Sequence, residues 1–164
     1  ELLIDLRRRG LLRGSLGSAA AIHTAPRPPW AATPDEDFTT RCTRCGDCVS
    51  ACPQGVLRSG DGGFPEIDFA RTGCSLCGDC SRVCTTGAIG AITAAAFSWR
   101  VHVAGTCLLQ HGVECRLCGD ACDTRALRFV PARGGIARMQ VDLAACTGCG
   151  GCVAPCPVGA ISMR

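Results

Sequence analysis

Sixteen of the 164 residues are cysteine, and they are not scattered. They fall in four runs: Cys42, Cys45, Cys48 and Cys52; Cys74, Cys77, Cys80 and Cys84; Cys107, Cys115, Cys118 and Cys122; and Cys146, Cys149, Cys152 and Cys156. Thiols at such density can staple loops as disulfides, hold zinc, or hold an iron–sulfur cluster. A disulfide framework spreads its cysteines to tie distant loops together. Zinc takes four ligands, usually as two close pairs separated by a longer finger. Three of the runs instead read C-x2-C-x2-C-x3-C without deviation. Three sulfurs then point into one concavity and a fourth follows, with Pro53 and Pro157 after the fourth in two runs. That spacing is the bacterial [4Fe–4S] run.

A cubane needs four thiolates at the corners of a tetrahedron, and short steps let one loop supply three of them. Backbone N–H groups between the cysteines turn inward and hydrogen-bond the sulfurs, tuning the potential. Gly46, Gly78 and Gly150 follow the second cysteine of their runs, and Gly119 answers them in the third; a tight loop there favours a residue that tolerates positive φ. In two-cluster ferredoxins the fourth cysteine of a run ligates the other cluster. The rule groups Cys42, Cys45 and Cys48 with Cys84, and Cys74, Cys77 and Cys80 with Cys52.

The third run departs from the pattern, because Cys107 and Cys115 are separated by seven residues. Locally, Arg116-Leu117-Cys118-Gly119-Asp120 matches Ser75-Leu76-Cys77-Gly78-Asp79 and would make Cys122 a displaced third ligand. The distance from Cys122 to Leu127 favours Cys122 as the fourth. On that reading Cys107, Cys115 and Cys118 join Cys156, and Cys146, Cys149 and Cys152 join Cys122. All sixteen cysteines are candidate iron ligands for four clusters, or three if the irregular run is empty. His111 in the enlarged loop reads as a surface residue rather than a ligand.

The elements that must position these loops repeat as well. Leu57, Ile89, Leu127 and Ile161 each stand five residues after a fourth cysteine, preceded by Val56, Ala88, Ala126 and Ala160. They predict an apolar cover that excludes water from the clusters. Leu57-Arg58, Gly62-Gly63 and Ile67-Asp68 lead to Cys74, as Leu127-Arg128, Gly134-Gly135 and Val141-Asp142 lead to Cys146. The chain is a duplicated unit with a period of about 72 residues. Each Gly-Gly stretch predicts a short hairpin, and the residues between third and fourth cysteines predict the start of a short helix. The fold class expected is α+β: tandem bacterial two-[4Fe–4S] ferredoxin-like modules with few regular elements. Residues 1–41 read as an arm and Pro-rich linker, 42–90 as the first module, 91–105 as a connector and 106–164 as the second module. In the connector the Ala-rich start predicts a helix or hinge, Ser98 to Val103 a short strand, and Phe97 and Trp99 a packing role between modules.

Composition agrees with a metal-organised chain. Leu, Ile, Val and Phe number 35, about 21%, close to the floor below which chains tend not to fold unaided. Such thin cores need staples. No apolar run approaches a membrane span. Seven aromatics and no Tyr leave nucleic-acid stacking poorly supplied. No Gly-x-Gly-x-x-Gly follows a strand and no Ser/His/Asp set stands out, so an enzyme with its own substrate site is not expected. Four oxidised clusters would shift the formal charge from +3 to about −5, leaving an acidic cluster face and a basic arm at Arg7, Arg8, Arg9 and Arg13. The arm, with Leu2, Leu3, Ile4, Leu6, Leu11 and Leu12, reads as a short cytoplasmic helix. Its Arg8-Arg9-Gly10-Leu11-Leu12-Arg13 also resembles a twin-arginine export signal, though Gly14–Ile22 is weakly apolar for one.

Particular residues resemble a known family. Arg8-Arg9-Gly10, Arg27-Pro28-Pro29-Trp30, Cys42-Thr43-Arg44-Cys45, Gly62-Gly63-Phe64-Pro65, Val113-Glu114-Cys115-Arg116 and Ala145-Cys146-Thr147-Gly148-Cys149-Gly150 together look like the NapF family, the ferredoxin-type proteins encoded with periplasmic nitrate reductase. The likeness extends over nearly the whole chain and includes the widened third run. It implies a cytoplasmic iron–sulfur protein that meets the catalytic subunit precursor of nitrate reductase before export and helps install or reduce that subunit's [4Fe–4S] centre. A one-electron carrier within a redox complex is the alternative function.

Overall fold

The computed structural model describes residues 26–132 and 134–164; the basic arm lies outside the described residues. In chain order the elements are α1 (Asp35–Arg41), α2 (Asp47–Ser50), β1 (Leu57–Ser59), β2 (Pro65–Ile67), α3 (Asp79–Arg82), β3 (Val101–Val103), α4 (Leu117–Asp120), β4 (Leu127–Val130), β5 (Arg138–Val141) and β6 (Ile161–Met163). Short 3₁₀ turns occupy Asp61–Gly63 and Leu108–His111. Regular structure is sparse, as expected, and each element is only long enough to hold a cysteine loop in place.

Both predicted hairpins form. β1 pairs antiparallel with β2, Leu57 opposite Ile67, around Gly62 and Gly63, which adopt φ of 63° and 79°. β4 pairs with β5, Leu127 opposite Val141, around Gly134 and Gly135 at φ of 102° and 85°. The residue after a fourth cysteine by five positions is buried in every run, at 4%, 3%, 3% and 5% exposure for Leu57, Ile89, Leu127 and Ile161. The residue before each is more buried still, at 1%. This apolar pair clamps the base of each cysteine loop to the module core.

The repeat extends into segments without cysteine. β3 pairs with β6, Val103 opposite Ile161, and Ala104 N–H donates to the Ala160 carbonyl at 2.7 Å. In the first module Ala31 bridges Ile89 and Ala32 N–H donates to the Ala88 carbonyl at 2.8 Å. These are the same contacts one repeat apart. Two expectations change accordingly. Residues 26–41 are not a bare linker: Pro29 and Phe38 are fully buried, Trp30 is buried, and Ile67 N–H donates to the Pro26 carbonyl at 2.8 Å. The connector's strand belongs to the second module's sheet, and its Ala-rich start forms no helix.

α1 forms where Pro34 gives an extended start and Asp35, Glu36 and Asp37 face the positive helix end, with Arg41 in the last turn. Seven residues are too few to hold a helix alone, so its stability comes from Phe38. Arg27 grips Asp35 through two hydrogen bonds at 2.5 and 3.0 Å and lies over the Phe38 ring at 4.9 Å, tying the segment down.

Phe97 and Trp99 do pack between the modules. Their rings stack at 4.8 Å and Phe69 meets each edge-on. Trp99 Nε1–H donates to the Gly148 carbonyl at 2.9 Å. A cleft of about 550 Å³ runs beside this seam, lined by Arg71, Gly73 and Cys74 from the first module and Asp123, Cys149 and Gly151 from the second.

Candidate metal centres

The cysteine loops are turned by backbone geometry that is partly visible in sequence. Gly46, Gly78 and Gly150 take φ of 84°, 80° and 73° after their cysteines, as anticipated. Gly119 does not: it sits inside α4, where the widened run has shifted the loop so that this glycine follows the third cysteine. Its small size serves packing, because a Cβ there would overlap the Phe129 ring. The residue before the second cysteine is also left-handed, at Arg44, Leu76 and Gly148 with φ of 62°, 57° and 79°. So is the residue three past each fourth cysteine: Gly55, Gly87, Arg125 and Gly159, at φ of 62°, 72°, 53° and 59°. Three glycines at that fixed offset were a readable signal for a turn.

That second turn aims donors at sulfur. Ile89 N–H donates to Cys84 Sγ at 3.3 Å and Ala160 N–H to Cys156 Sγ at 3.2 Å. Thr86 and Thr124 hydroxyls meet Cys84 and Cys122 Sγ at 3.6 Å. Within the second loop Leu76 N–H donates to Cys74 Sγ at 3.4 Å. The short helices begin one residue before the third cysteine, not after it, so Cys48, Cys80 and Cys118 lie within α2, α3 and α4. The fourth run forms successive turns in place of a helix, since Gly151 stands where Asp47 and Asp79 open α2 and α3. Asp79 pairs with Arg82 at the surface.

The structure gathers the thiols across runs. Cys42, Cys45, Cys48 and Cys84 line one enclosed cavity together with Phe38, Pro65, Val83 and Ile89. Cys52, Cys74, Cys77 and Cys80 line another with Pro29, Trp30, Val56 and Leu57. In the second module Cys118 faces the charges of Cys107, Cys115 and Cys156. Cys152 faces those of Cys149, Cys122 and Cys118. Cys146 is buried in the same core as Cys118 and Cys152. His111 Nε2 meets the Gly105 carbonyl at 3.0 Å in the exposed loop and does not join the thiols.

Electrostatics describes what these cradles require. Burial first, and neighbouring thiolates second, push Cys48 and Cys118 up to about 11 and Cys152 up to about 12. Cys80 rises to about 12 for the same reasons, and burial lifts Cys74 to about 11 although the Leu76 N–H pulls it down. Cys84 is the exception: burial raises it, but donors from Ile89, Thr86 and Ala88 together outweigh that and lower it. Four thiolates cannot share such a cradle without positive charge at its centre. All sixteen cysteines are free of disulfides. Among the described residues no three His, Cys, Asp or Glu converge on a position for one metal ion. Four thiols lining one cavity fit a polynuclear iron–sulfur body.

Comparisons with known proteins agree. The 4Fe-4S dicluster domain family matches residues 41–88 and 113–160. The chain is similar to "Ferredoxin-type protein NapF" of Haemophilus influenzae, 42% identical over 98% of this chain and 94% of that protein. It is 37% identical over 97% of its length to the protein of the same name from Escherichia coli K12, spanning 94% of that protein. "Methylamine utilization ferredoxin-type protein MauM" of Paracoccus denitrificans is 34% identical over 92% of this chain and 78% of its own length. No solved structure matches the chain.

Proposed function

This chain belongs to the NapF family of ferredoxin-type proteins built from 4Fe-4S dicluster domains, and on that premise we propose that it holds four [4Fe–4S] clusters and matures the catalytic subunit precursor of periplasmic nitrate reductase in the cytoplasm. Its ligand sets are Cys42, Cys45, Cys48 with Cys84; Cys74, Cys77, Cys80 with Cys52; Cys107, Cys115, Cys118 with Cys156; and Cys146, Cys149, Cys152 with Cys122. Each cluster supplies one-electron exchange at nearly constant geometry. The chain's own residues do the rest. Ile89 and Ala160 N–H groups hold the sulfurs of Cys84 and Cys156. Phe38, Val83 and Ile89 exclude water from one centre, and Trp30, Val56 and Leu57 from the next. The protein works without a substrate site of its own: it binds a protein partner and delivers a cluster or electrons to it.

The observation that carries this reading is the similarity along almost the entire chain to proteins named NapF, the widened third run included. Anaerobic reconstitution should give about 16 Fe and 16 sulfides per chain; zinc without sulfide would exclude iron–sulfur chemistry, and about 12 Fe would leave the third run empty. A pull-down of the nitrate reductase precursor then tests the partner. Deleting residues 1–25 should leave iron content unchanged and weaken capture, because Arg7, Arg8, Arg9 and Arg13 supply electrostatic docking that salt also weakens. Undiminished capture by the truncated chain moves the reading to a one-electron carrier. The likeness to MauM, a ferredoxin-type protein named for a different system, supports that second reading.

A further inference from the structure

The repeat lapses into glycine at two places, and those two places touch. The residue before the first cysteine of a run is Arg41, Thr106 or Ala145, but Gly73 in the second run. The residue before the third cysteine is Asp47, Asp79 or Leu117, but Gly151 in the fourth run. A Cβ on Gly73 would stand 2.5 Å from both Cα and N of Gly151 and 3.0 Å from the Cys149 carbonyl oxygen. Both obstacles are backbone, which cannot swing aside. Neither glycine needs to be small for its own loop: Gly73 and Gly151 do not adopt positive φ.

What the close approach achieves is specific. Cys74 N–H donates to the Cys149 carbonyl at 2.8 Å, and a charge on Cys149 reaches Cys74 across the seam. One cysteine from each module is thereby linked to the other through its own backbone and a single hydrogen bond. Flanking glycines complete the fit. A Cβ on Gly150 would overlap the Phe69 ring, and one on Gly148 would lie 2.9 Å from Phe97 Cβ and from the Trp99 carbonyl oxygen. The cleft beside this point shows that the modules do not pack tightly all along their seam. They are pressed together here.

We propose that Gly73 is a positioning residue that, by lying directly against the Gly151 backbone, brings the Cys52/Cys74/Cys77/Cys80 centre against the Cys122/Cys146/Cys149/Cys152 centre, so that the two modules form one electron path instead of two separate pairs. This rests on the ligand grouping given above. An electron crossing the seam oxidises one cluster by one unit and reduces the other by one, with no bond made and no proton moved. The path runs from the outer centre of the first module, through the two facing centres, to the Cys107/Cys115/Cys118/Cys156 centre.

The test uses the full, iron-replete chain reduced with dithionite and read by pulsed EPR, which resolves magnetic interaction between neighbouring clusters. Three neighbouring pairs are expected in the unmutated chain, one within each module and one across the seam. Gly73→Ala must part the modules by about 1 Å to restore van der Waals spacing. It should keep its full iron and sulfide while losing the seam interaction. Gly151→Ala is the control from the same contact: its Cβ meets only the Ala121 carbonyl at 3.3 Å and Cys149 Sγ at 3.8 Å, and the seam interaction should persist. Full iron in Gly73→Ala with the interaction unchanged overturns the proposal. So does an unmutated, iron-replete chain with interactions only inside modules, a result that decides the matter even if Gly73→Ala fails to load. An unmutated chain that never reaches four clusters' worth of iron refutes the ligand grouping itself, and is told apart by analysis alone.

Discussion

In the first module Phe38 is fully buried beside Cys42, and Ile67 on β2 is 3% exposed; in the second, Leu109 is only half-buried and Val141, at the matching place on β5, is 41% exposed. The difference comes from where each module carries its extra residues. Nine residues lie between Ala32 and Cys42 and include α1, whereas two lie between Ala104 and Cys107. The second module spends its insertion after the first cysteine, on the 3₁₀ turn Leu108–His111, capped by Gly112 at φ 77°. Its core of Val101, Ala126, Leu127 and Ile161 contains no buried aromatic, and a groove along Val103, Leu109, Met139 and Val141 stays open beside Cys107. Three of the four cysteine runs keep one spacing, and apolar cover is what each copy adjusts around them. A module with less cover must lean harder on its iron.

The largest expected effect follows from that. Removing iron by chelation should abolish tertiary structure in both modules, because in so thin a core metal-site energy is largely folding energy. The second module should go first. Hydrogen exchange during slow chelation should release the amides of β4 before those of β1, and the reverse order, or a metal-free chain with a cooperative thermal transition, would break the comparison. Next in size is Phe38→Ala, which should cost about 3–5 kcal/mol of first-module stability, while Leu109→Ala costs a fraction of that. Denaturant unfolding with iron loss followed at each module distinguishes the two; equal losses would mean that the 3₁₀ turn covers as well as α1.

Loading should also depend on pH, in the same direction for both modules. Cys80 and Cys152, each held near 12, must release protons before they can bind iron, so apparent affinity should rise between pH 6 and 8. Iron uptake at fixed free iron measures it, and a flat profile would mean that the cradles are already ionised. The smallest effect belongs to Arg27, which has no counterpart in the second module. The Arg27 hydrogen bonds depress the Asp35 carboxyl, so their contribution is present above its usual value near 3.8 and fades as pH falls through the lowered one. Asp35→Asn at neutral pH should cost about 1 kcal/mol or less, confined to the first module, and nothing in strong acid. Thermal melts at the two pH values check both parts.

Much of the frame was legible because metal ligation permits so few spacings. The aliphatic residue five past each fourth cysteine is buried and the Gly-Gly hairpins form as read. Residues 26–41 were misread because Pro26, Pro28 and Pro29 resemble a linker, and only tertiary contact shows that Pro29, Trp30 and Phe38 are covered. Gly119 looked like a loop glycine because its neighbours in sequence match a loop, while the widened run had moved it into a helix. The glycine contact within the seam was invisible for a different reason. Gly73 and Gly151 are ordinary residues until something is known of what stands opposite them.

The bridge from Ala31 to Ile89, and the β3–β6 pairing of Val103 with Ile161, set the first and last segments of each module side by side. A unit whose two ends leave from the same edge can be copied head to tail without rethreading any part of it. The stretch from Gly90 to Arg100 is then all the chain needed to join one copy to the next.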